Sequence, residues 1–426
     1  MQTRFSEEQY QTKSIRESAE VLRRCVHCGF CTATCPTFQV LGDEADSPRG
    51  RIWMIRDMLE KGGRPEPKIV KHIDRCLSCL GCKTTCPSGV DYMRLVDHAR
   101  AYIHQHHQRP FFERLYRRCI LGLLVRPNLF RVAIGLARPF RAFRSFLPRF
   151  LGNLLEHVPA RIPDIAPARG VIYPAQGEKK SRLALLHGCA TAALGGEIHA
   201  ATIRVLTSLG HEVVMPKSSG CCGALHHHNG DEEQAKKLAR ANVKAWMDAG
   251  VDGVIINASG CGTTVKDYAH LLEDEDCAEE AKWLSAHSFE VIQWLDQDQT
   301  WVAEAPTSKA IAYHPPCSMQ HGQGLSGVGE RVLHRSGFKL RSFADTHLCC
   351  GSAGTYSLFQ PEIAHQLRHR KAQSILKTDA QILASVNLGC MNHLAPELGM
   401  PTVHIIQLID WALHGEIPPS LRALSH

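Results

Sequence analysis

Residues 25–36 read CVHCGFCTATCP and residues 76–87 read CLSCLGCKTTCP, so the pattern C-x2-C-x2-C-x3-C-P occurs twice in the first quarter of the chain. Four thiols so closely spaced are not an ordinary apolar core. Two-residue gaps bring three sulfurs onto adjacent corners of one iron-sulfur cubane, and the fourth, followed by proline, reaches a neighbouring cubane. By that rule Cys25, Cys28, Cys31 and Cys86 hold one 4Fe-4S cluster, and Cys76, Cys79, Cys82 and Cys35 hold the other. Zinc is the bland alternative, but it takes four ligands per ion and usually draws them from two separated pairs. Disulfides are disfavoured by the crowding. They are also disfavoured by a start, MQTRFSEEQYQTKS, that lacks the apolar stretch of a secretory signal, so retention in a reducing cytoplasm is expected.

Between the blocks, DSPRGRIWMIRDMLEKG carries Ile52, Ile55, Met58 and Leu59 at helical spacing, and ESAEVLRR before the first block does the same. Residues 1–108 are therefore expected to be an α-helical domain resembling a helical ferredoxin, the type found in iron-sulfur subunits of respiratory dehydrogenases. Two adjacent clusters imply an electron wire and no substrate pocket.

Residues 109–161 hold eleven arginines, interleaved with Phe, Leu and Ile, and only two acids, Glu113 and Glu156. This basic segment reads as a lipid-facing surface, a docking face for a partner subunit, or internal packing. Prolines 110, 127, 139 and 148 break it into short helices. Nucleic acid is not implied, because no recognised binding module accompanies the arginines. No stretch approaches the ~18 apolar residues of a membrane span. Residues 162–181 read as a linker, with three Pro and two Gly.

Beyond it the chain is duplicated. Cys189, Cys221 and Cys222 recur 128 residues later as Cys317, Cys349 and Cys350, and Cys261 recurs 129 residues later as Cys390. That constancy marks an internal repeat, with copies at 182–308 and 309–426. In each, short apolar runs (RLALLHG, DGVIINAS; KAIAYH, AQILASVN) alternate with helical stretches, so two α/β domains are expected, with cysteines just after strands. Of the 18 cysteines, only Cys119 and Cys277 belong to no repeat.

The pattern C-x31-CCG-x38/39-C resembles the cysteine-rich CCG domains. In the heterodisulfide reductases of that family a further cysteine follows three residues on, and a non-cubane iron-sulfur cluster is bound. Here those positions are Thr264 and His393, which leaves four thiols per copy and His393 as a candidate ligand. Zinc and plain burial of small side chains stay open. His226, His227 and His228 after the first CCG read as a solvated turn or a cofactor contact. His187, His314, His321 and His347 flank cysteines and suit a supporting hydrogen bond to a site. No G-x-G-x-x-G or G-x-x-x-x-G-K follows a strand, so nucleotide chemistry is assigned to another chain.

The stretches RCVHCGFCTATCPTFQVLGDEADSPRGRIWMI, DRCLSCLGCKTTCPSGVDY, GCCGALHHHNG, ASGCGTTVKDYAHLL and DTHLCCGSAGTYSL resemble the iron-sulfur subunits of glycolate oxidase (glycolate dehydrogenase) over nearly the whole chain. The resemblance implies an oxidoreductase complex in which FAD-containing partners oxidise glycolate to glyoxylate. It further implies that this subunit passes electrons toward quinone at the inner face of the cytoplasmic membrane. It matches the eight N-terminal cysteines to cluster ligands and places no catalytic residue in this chain. Iron-sulfur subunits of anaerobic glycerol-3-phosphate dehydrogenase and of D-lactate dehydrogenases share both modules, and a thiol/disulfide reductase or a zinc scaffold are the alternatives of other classes.

Overall fold

The computed structural model describes residues 1–159 and 161–424; Ala160 of the basic segment and the last two residues of the second copy lie outside the described residues. The N-terminal domain is helical throughout. Its central helix, Pro48–Lys61, starts where the Ser47 side chain accepts a hydrogen bond from the Gly50 N–H and Pro48 occupies the first turn, and it stops at Gly62. Ile52, Ile55, Met58 and Leu59 are buried on one face, as their spacing predicts. They pack against Ile15 and Leu22 of helix Lys13–Arg24, Ile73 of Pro67–Asp74, and Leu95 and Val96 of Tyr92–His106.

The duplicated region forms two sheets. In the first, β1 (Val171–Tyr173), β2 (Ser181–Leu185), β3 (His211–Met215), β4 (Gly253–Ile256) and β5 (Ser288–Glu290) lie in the order β1-β3-β2-β4-β5. In the second, β6 (Ile311–Tyr313), β7 (Leu340–Arg341), β8 (Ile382–Ser385) and β9 (Thr402–His404) lie in the order β7-β6-β8-β9. Without β1 the two orders are the same and every pairing is parallel. β1 pairs antiparallel with β3, so the stretch read as linker supplies an edge strand.

The copies pack reciprocally. Helix Gly196–Ser208 of the first lies on Ile405–His414 of the second, while Val291–Gln297 of the first lies on Val328–Arg335 of the second. The ion pairs repeat the symmetry: Arg204 Nε reaches Asp410 Oδ2 at 3.1 Å, and Arg331 Nε reaches Asp296 Oδ2 at 3.1 Å. Leu206, Ile292, Val332 and Ile409 thus belong to one core shared by both sheets. Burying apolar surface at ~25 cal/mol per Å2 makes this seam the main source of cohesion between the copies.

The three consecutive histidines are not a solvated turn: His226 is buried and His227 and His228 are half-buried. His226 pairs with Asp231 of its own copy at 2.8 Å, and the other two fasten the first copy to the helical domain: Asp97, on helix Tyr92–His106 and 9% exposed, faces His227 Nε2 at 3.4 Å and His228 Nδ1 at 3.9 Å. Beside it Arg94 grips Asp267 with two hydrogen bonds of 2.7 and 2.6 Å. Burial alone pushes the Asp97 carboxyl up, but the two imidazoles outweigh it and hold the group well below the usual range. Burial likewise lowers His227, yet Asp97 prevails and raises it, while His228 is pushed down by burial.

The signs set a pH window. A depressed carboxyl stabilises the fold above its unfolded pKa of about 4 and loses that contribution as pH falls, whereas a raised imidazole stabilises below about 6.5 and loses it as pH rises through the folded value. The Asp97–His227 pair is therefore fully effective between roughly pH 4 and 6.5. Asp97→Asn is expected to cost on the order of 3 kcal/mol in that window and to flatten the fall toward alkaline pH, read by thermal unfolding of the full chain. Superimposable pH profiles for the wild type and the variant would contradict it.

Candidate metal centres

Each N-terminal motif winds the same way. His27 and Ser78 sit at equivalent positions of the two blocks, as do Gly29 and Leu80, and all four have left-handed backbone, with φ of 56°, 50°, 86° and 60°. For Ser78 and Leu80 such a conformation costs about 1 kcal/mol or more; it is the bend that turns three successive thiols to one side. Cys25, Cys28, Cys31 and Cys86 line one small cavity together with Cys82 and Arg49.

The second set is more deeply buried. Cys35 and Cys76 lie in the domain core, and the Tyr92 hydroxyl donates to Cys76 Sγ at 3.7 Å. Under them is an internal charge network that sequence reading missed. Arg51, 1% exposed, bonds Asp46 Oδ1 at 3.1 Å, the His72 carbonyl at 2.8 Å and Thr37 Oγ1 at 3.0 Å, and directs Nη1 to Cys35 Sγ at 3.9 Å. Arg75 completes Asp46 at 2.8 Å, and Arg100 Nη2 donates to the Cys76 carbonyl at 2.6 Å. Such a cation stabilises thiolates and a reduced, more negative cluster. Its sequence signal was Arg51 on the apolar face of its helix, one turn before Ile55.

In the first copy Cys189, Cys221, Cys222 and Cys261 lie in sequence near one another, so that each thiol perturbs its neighbour. Asn242 fixes the intervening backbone, accepting from the Gly220 N–H at 2.8 Å and donating to the Cys221 carbonyl at 2.9 Å; Tyr268 donates to the Cys222 carbonyl. In the second copy Cys317 and Cys349 are 3.6 Å apart at sulfur, and Asn387 Nδ2 approaches Cys390 Sγ at 3.2 Å. The glycine of each CCG is required. Gly223 and Gly351 have φ of 88° and 95°, and a Cβ on Gly351 would lie 2.7 Å from the Ala364 carbonyl.

All 18 cysteines are free thiols. Burial pushes Cys82 well above the usual thiol range and Cys31 up to about 11. Buried, clustered thiols with few partners but each other are unfavourable as bare protein and suit soft metals, which displace their protons. The donor set thus fits iron-sulfur groups. Cys119 is exposed on helix Phe111–Leu124, and Cys277 packs at the edge of a small core; neither approaches a site.

The sites converge. One cavity of about 500 Å3 is lined by Cys76, by Cys189, Cys222 and Cys261, and by Cys317, Cys349, Cys350 and Cys390. Cys79 shares an apolar cluster with Leu77, Cys317 and Cys349, so the second N-terminal motif abuts the second copy directly. His321 Nδ1 bonds Thr84 Oγ1 at 2.8 Å across that contact, and the Tyr356 hydroxyl donates to the Arg75 carbonyl at 3.1 Å. His187 stacks on His199, while His347 offers its carbonyl to His321 Nε2 at 2.9 Å. The far side of the cavity is apolar: Leu124, Phe130 and Ile134 of the basic segment, with Leu155 and Val158.

Comparisons with known proteins agree with this layout. A 4Fe-4S dicluster domain matches residues 21–90, and a cysteine-rich domain, CCG, matches residues 183–266 and 311–395. The fold is shared with a crystal structure of a hypothetical protein from Helicobacter pylori, at a TM-score of 0.54 and 9% identity over 99% of this chain and 77% of that one. A probable glycolate oxidase iron-sulfur subunit of Bacillus subtilis (strain 168) is 30% identical over 90% of each chain. The glycolate oxidase iron-sulfur subunit of Escherichia coli (strain K12) is 39% identical over 98% of this chain and all of that one. With its dicluster motifs, its two CCG domains and full-length identity of that order, this chain belongs to the family of glycolate oxidase iron-sulfur subunits.

Proposed function

We propose that this chain is the electron conduit of a glycolate-oxidising complex, taking electrons from FAD-containing partner subunits that convert glycolate to glyoxylate and delivering them toward quinone. The observation that carries this reading is continuity: the first N-terminal motif meets Cys82 of the second at a small cavity, and the second motif packs on the second copy at Cys79 and shares a larger cavity with thiols of both copies. Cys25, Cys28, Cys31 and Cys86 hold one 4Fe-4S cluster, and Cys76, Cys79, Cys82 and Cys35 the other. The CCG thiols hold further iron-sulfur. Such groups supply one-electron transfer when bound. The protein supplies position and charge: Arg51 beside Cys35, and a largely apolar wall that limits water. The units behave as 1–108, 109–181, 182–308 and 309–426.

The basic segment supports a place on the membrane surface. Among the described residues no single helix is long and apolar enough to cross a bilayer, and helices Phe111–Leu124 and Pro127–Arg144 turn from one another by 108°. Part of the segment packs inward: Arg109 and Arg117 bind Asp74, and Arg131 donates to the Ala193 carbonyl at 2.8 Å. Its outer side exposes Phe112, Leu136, Phe140 and Phe143 beside Arg114, Arg118, Arg126, Arg138 and Arg144, which form no ion pair among the described residues. Basic side chains near anionic lipid contribute about 1 kcal/mol each, and the phenylalanines add apolar insertion. The same helices roof the cavity, so a lipid-soluble acceptor would meet the sulfur sites from this side.

The chain isolated anaerobically with its native partners is expected to support glycolate-dependent dye reduction, with D-lactate and glycerol 3-phosphate as comparisons. A preparation that contains a flavoprotein yet is reduced only by one of those two would replace the substrate assignment, and a lone chain that reduces disulfides would replace the conduit. Cys28→Ser is expected to remove about four irons per chain and stop electron exit while the partner still reduces its flavin; Cys119→Ser and Cys277→Ser should retain full iron. Charge reversal at Arg118, Arg126 and Arg138 together should abolish co-sedimentation with vesicles rich in phosphatidylglycerol; unchanged binding would argue that this face meets a protein.

A further inference from the structure

The constant offset between the copies allows their sites to be compared position by position. The four thiols recur, but the groups around them do not. Leu186, Val243 and Thr264 of the first copy become His314, Lys371 and His393 of the second. At these three positions the first copy has uncharged side chains without a nitrogen base, and the second has gained three nitrogen bases. All three are buried, at 1, 2 and 3% exposure.

Their geometry separates them. His393 Nε2 faces the Ala364 carbonyl at 3.3 Å, which spends that nitrogen on the backbone; its Nδ1 is buried without a hydrogen-bond partner but does not join the close group formed by His314, Cys350 and Cys390. Lys371 donates to the Asp345 carbonyl and stands over the Phe343 ring at 5.6 Å, a fixed charge near the sulfurs. His314 follows β6 directly, and its backbone is clamped: its N–H donates to the Ala384 carbonyl at 2.8 Å and its carbonyl accepts from Ser385 Oγ at 2.9 Å. The ring is thereby aimed at the thiols, and neither ring nitrogen has a hydrogen-bond partner. A ring nitrogen and the sulfurs of Cys350 and Cys390 all lie within 4.8 Å of one another. A buried imidazole left so costs about 1–3 kcal/mol for each unsatisfied group, a cost that coordination to a metal removes.

We propose that the second copy binds an iron-sulfur cluster to which His314 contributes a nitrogen ligand beside Cys350 and Cys390, whereas the first copy binds through thiolates alone. The imidazole adds a nitrogen donor without adding negative charge, and Lys371 places a cation beside the sulfurs, which raises the potential of the group they hold. The duplicated sites are therefore unequal, and the higher-potential one is the one that abuts Cys79. This rests on reading the CCG thiols as iron-sulfur ligands and is independent of glycolate as the substrate.

The test is pulsed EPR of the reduced full chain, purified anaerobically from cells grown with natural-abundance or 15N-labelled histidine. One centre is expected to show strong nitrogen coupling that changes with the label. The coupling should vanish in His314→Leu, which copies the first repeat, and in His314→Cys, which keeps a ligand and lowers the potential of that centre; it should persist in His393→Thr. Iron above the content of two N-terminal clusters with no label-sensitive strong coupling would overturn the inference alone. Iron at that content would overturn the reading beneath it as well. Since the labelled wild type decides between these, failure of a variant to fold does not rescue the proposal.

Discussion

The reciprocal packing of the two α/β copies is the constraint on which the rest depends. Because helix Gly196–Ser208 lies on Ile405–His414 and Val291–Gln297 lies on Val328–Arg335, the strand ends that carry cysteines face one another rather than opposite solvents. The segment Ser259–Val265 then meets Ser318–Gly322, with Ser259 and Ser318 hydroxyls 2.7 Å apart, and Ala190–Leu194 meets Leu388–Leu398. Eight thiols end up around one seam. An open parallel sheet places ligands beyond the carboxyl ends of its strands; folding the duplication back on itself merges two such places into one chamber.

Charge is the second constraint. Thiolates and the clusters they bind are anionic, and a water-poor interior magnifies their repulsion. The chain answers with cations at chosen points: Arg51 against Cys35, held by Asp46, and Lys371 beside the second copy. The first copy has no such cation at the equivalent position, where Val243 stands. On the proposed path, an electron leaving the N-terminal motifs meets first the copy that carries this cation. On the outside the basic segment serves two surfaces at once, an apolar roof over the cavity and an arginine-rich exterior.

The sequence made some of this legible. Cysteine spacing is local chemistry, so the two N-terminal blocks and the 128-residue repeat could be read directly, and the buried face of Pro48–Lys61 followed from its periodicity. What stayed hidden depends on partners far along the chain. The histidine triplet at 226–228 looked solvent-facing because Asp97 is some 130 positions earlier. His314 looked like a supporting neighbour because nothing local shows that its ring is buried without a hydrogen-bond partner and brings a nitrogen to Cys350 and Cys390. His393 was a candidate ligand by alignment with a missing cysteine; its Nε2 is turned to the backbone, while its Nδ1 is buried without a hydrogen-bond partner. Superposing the repeat on itself would have exposed the replacement of Leu186 by His314.

The central claim is a continuous path from the N-terminal motifs into the duplicated sites across the contact of Cys79 with Cys317 and Cys349. Its most direct test is the EPR relaxation of the reduced full chain, comparing the cluster held around Cys79 in wild type and in Cys317→Ser. Adjacent paramagnets relax and split each other, so the account predicts a broadened, fast-relaxing N-terminal signal that sharpens when the second copy loses its centre. A signal that is narrow and slow-relaxing in both proteins would contradict the path.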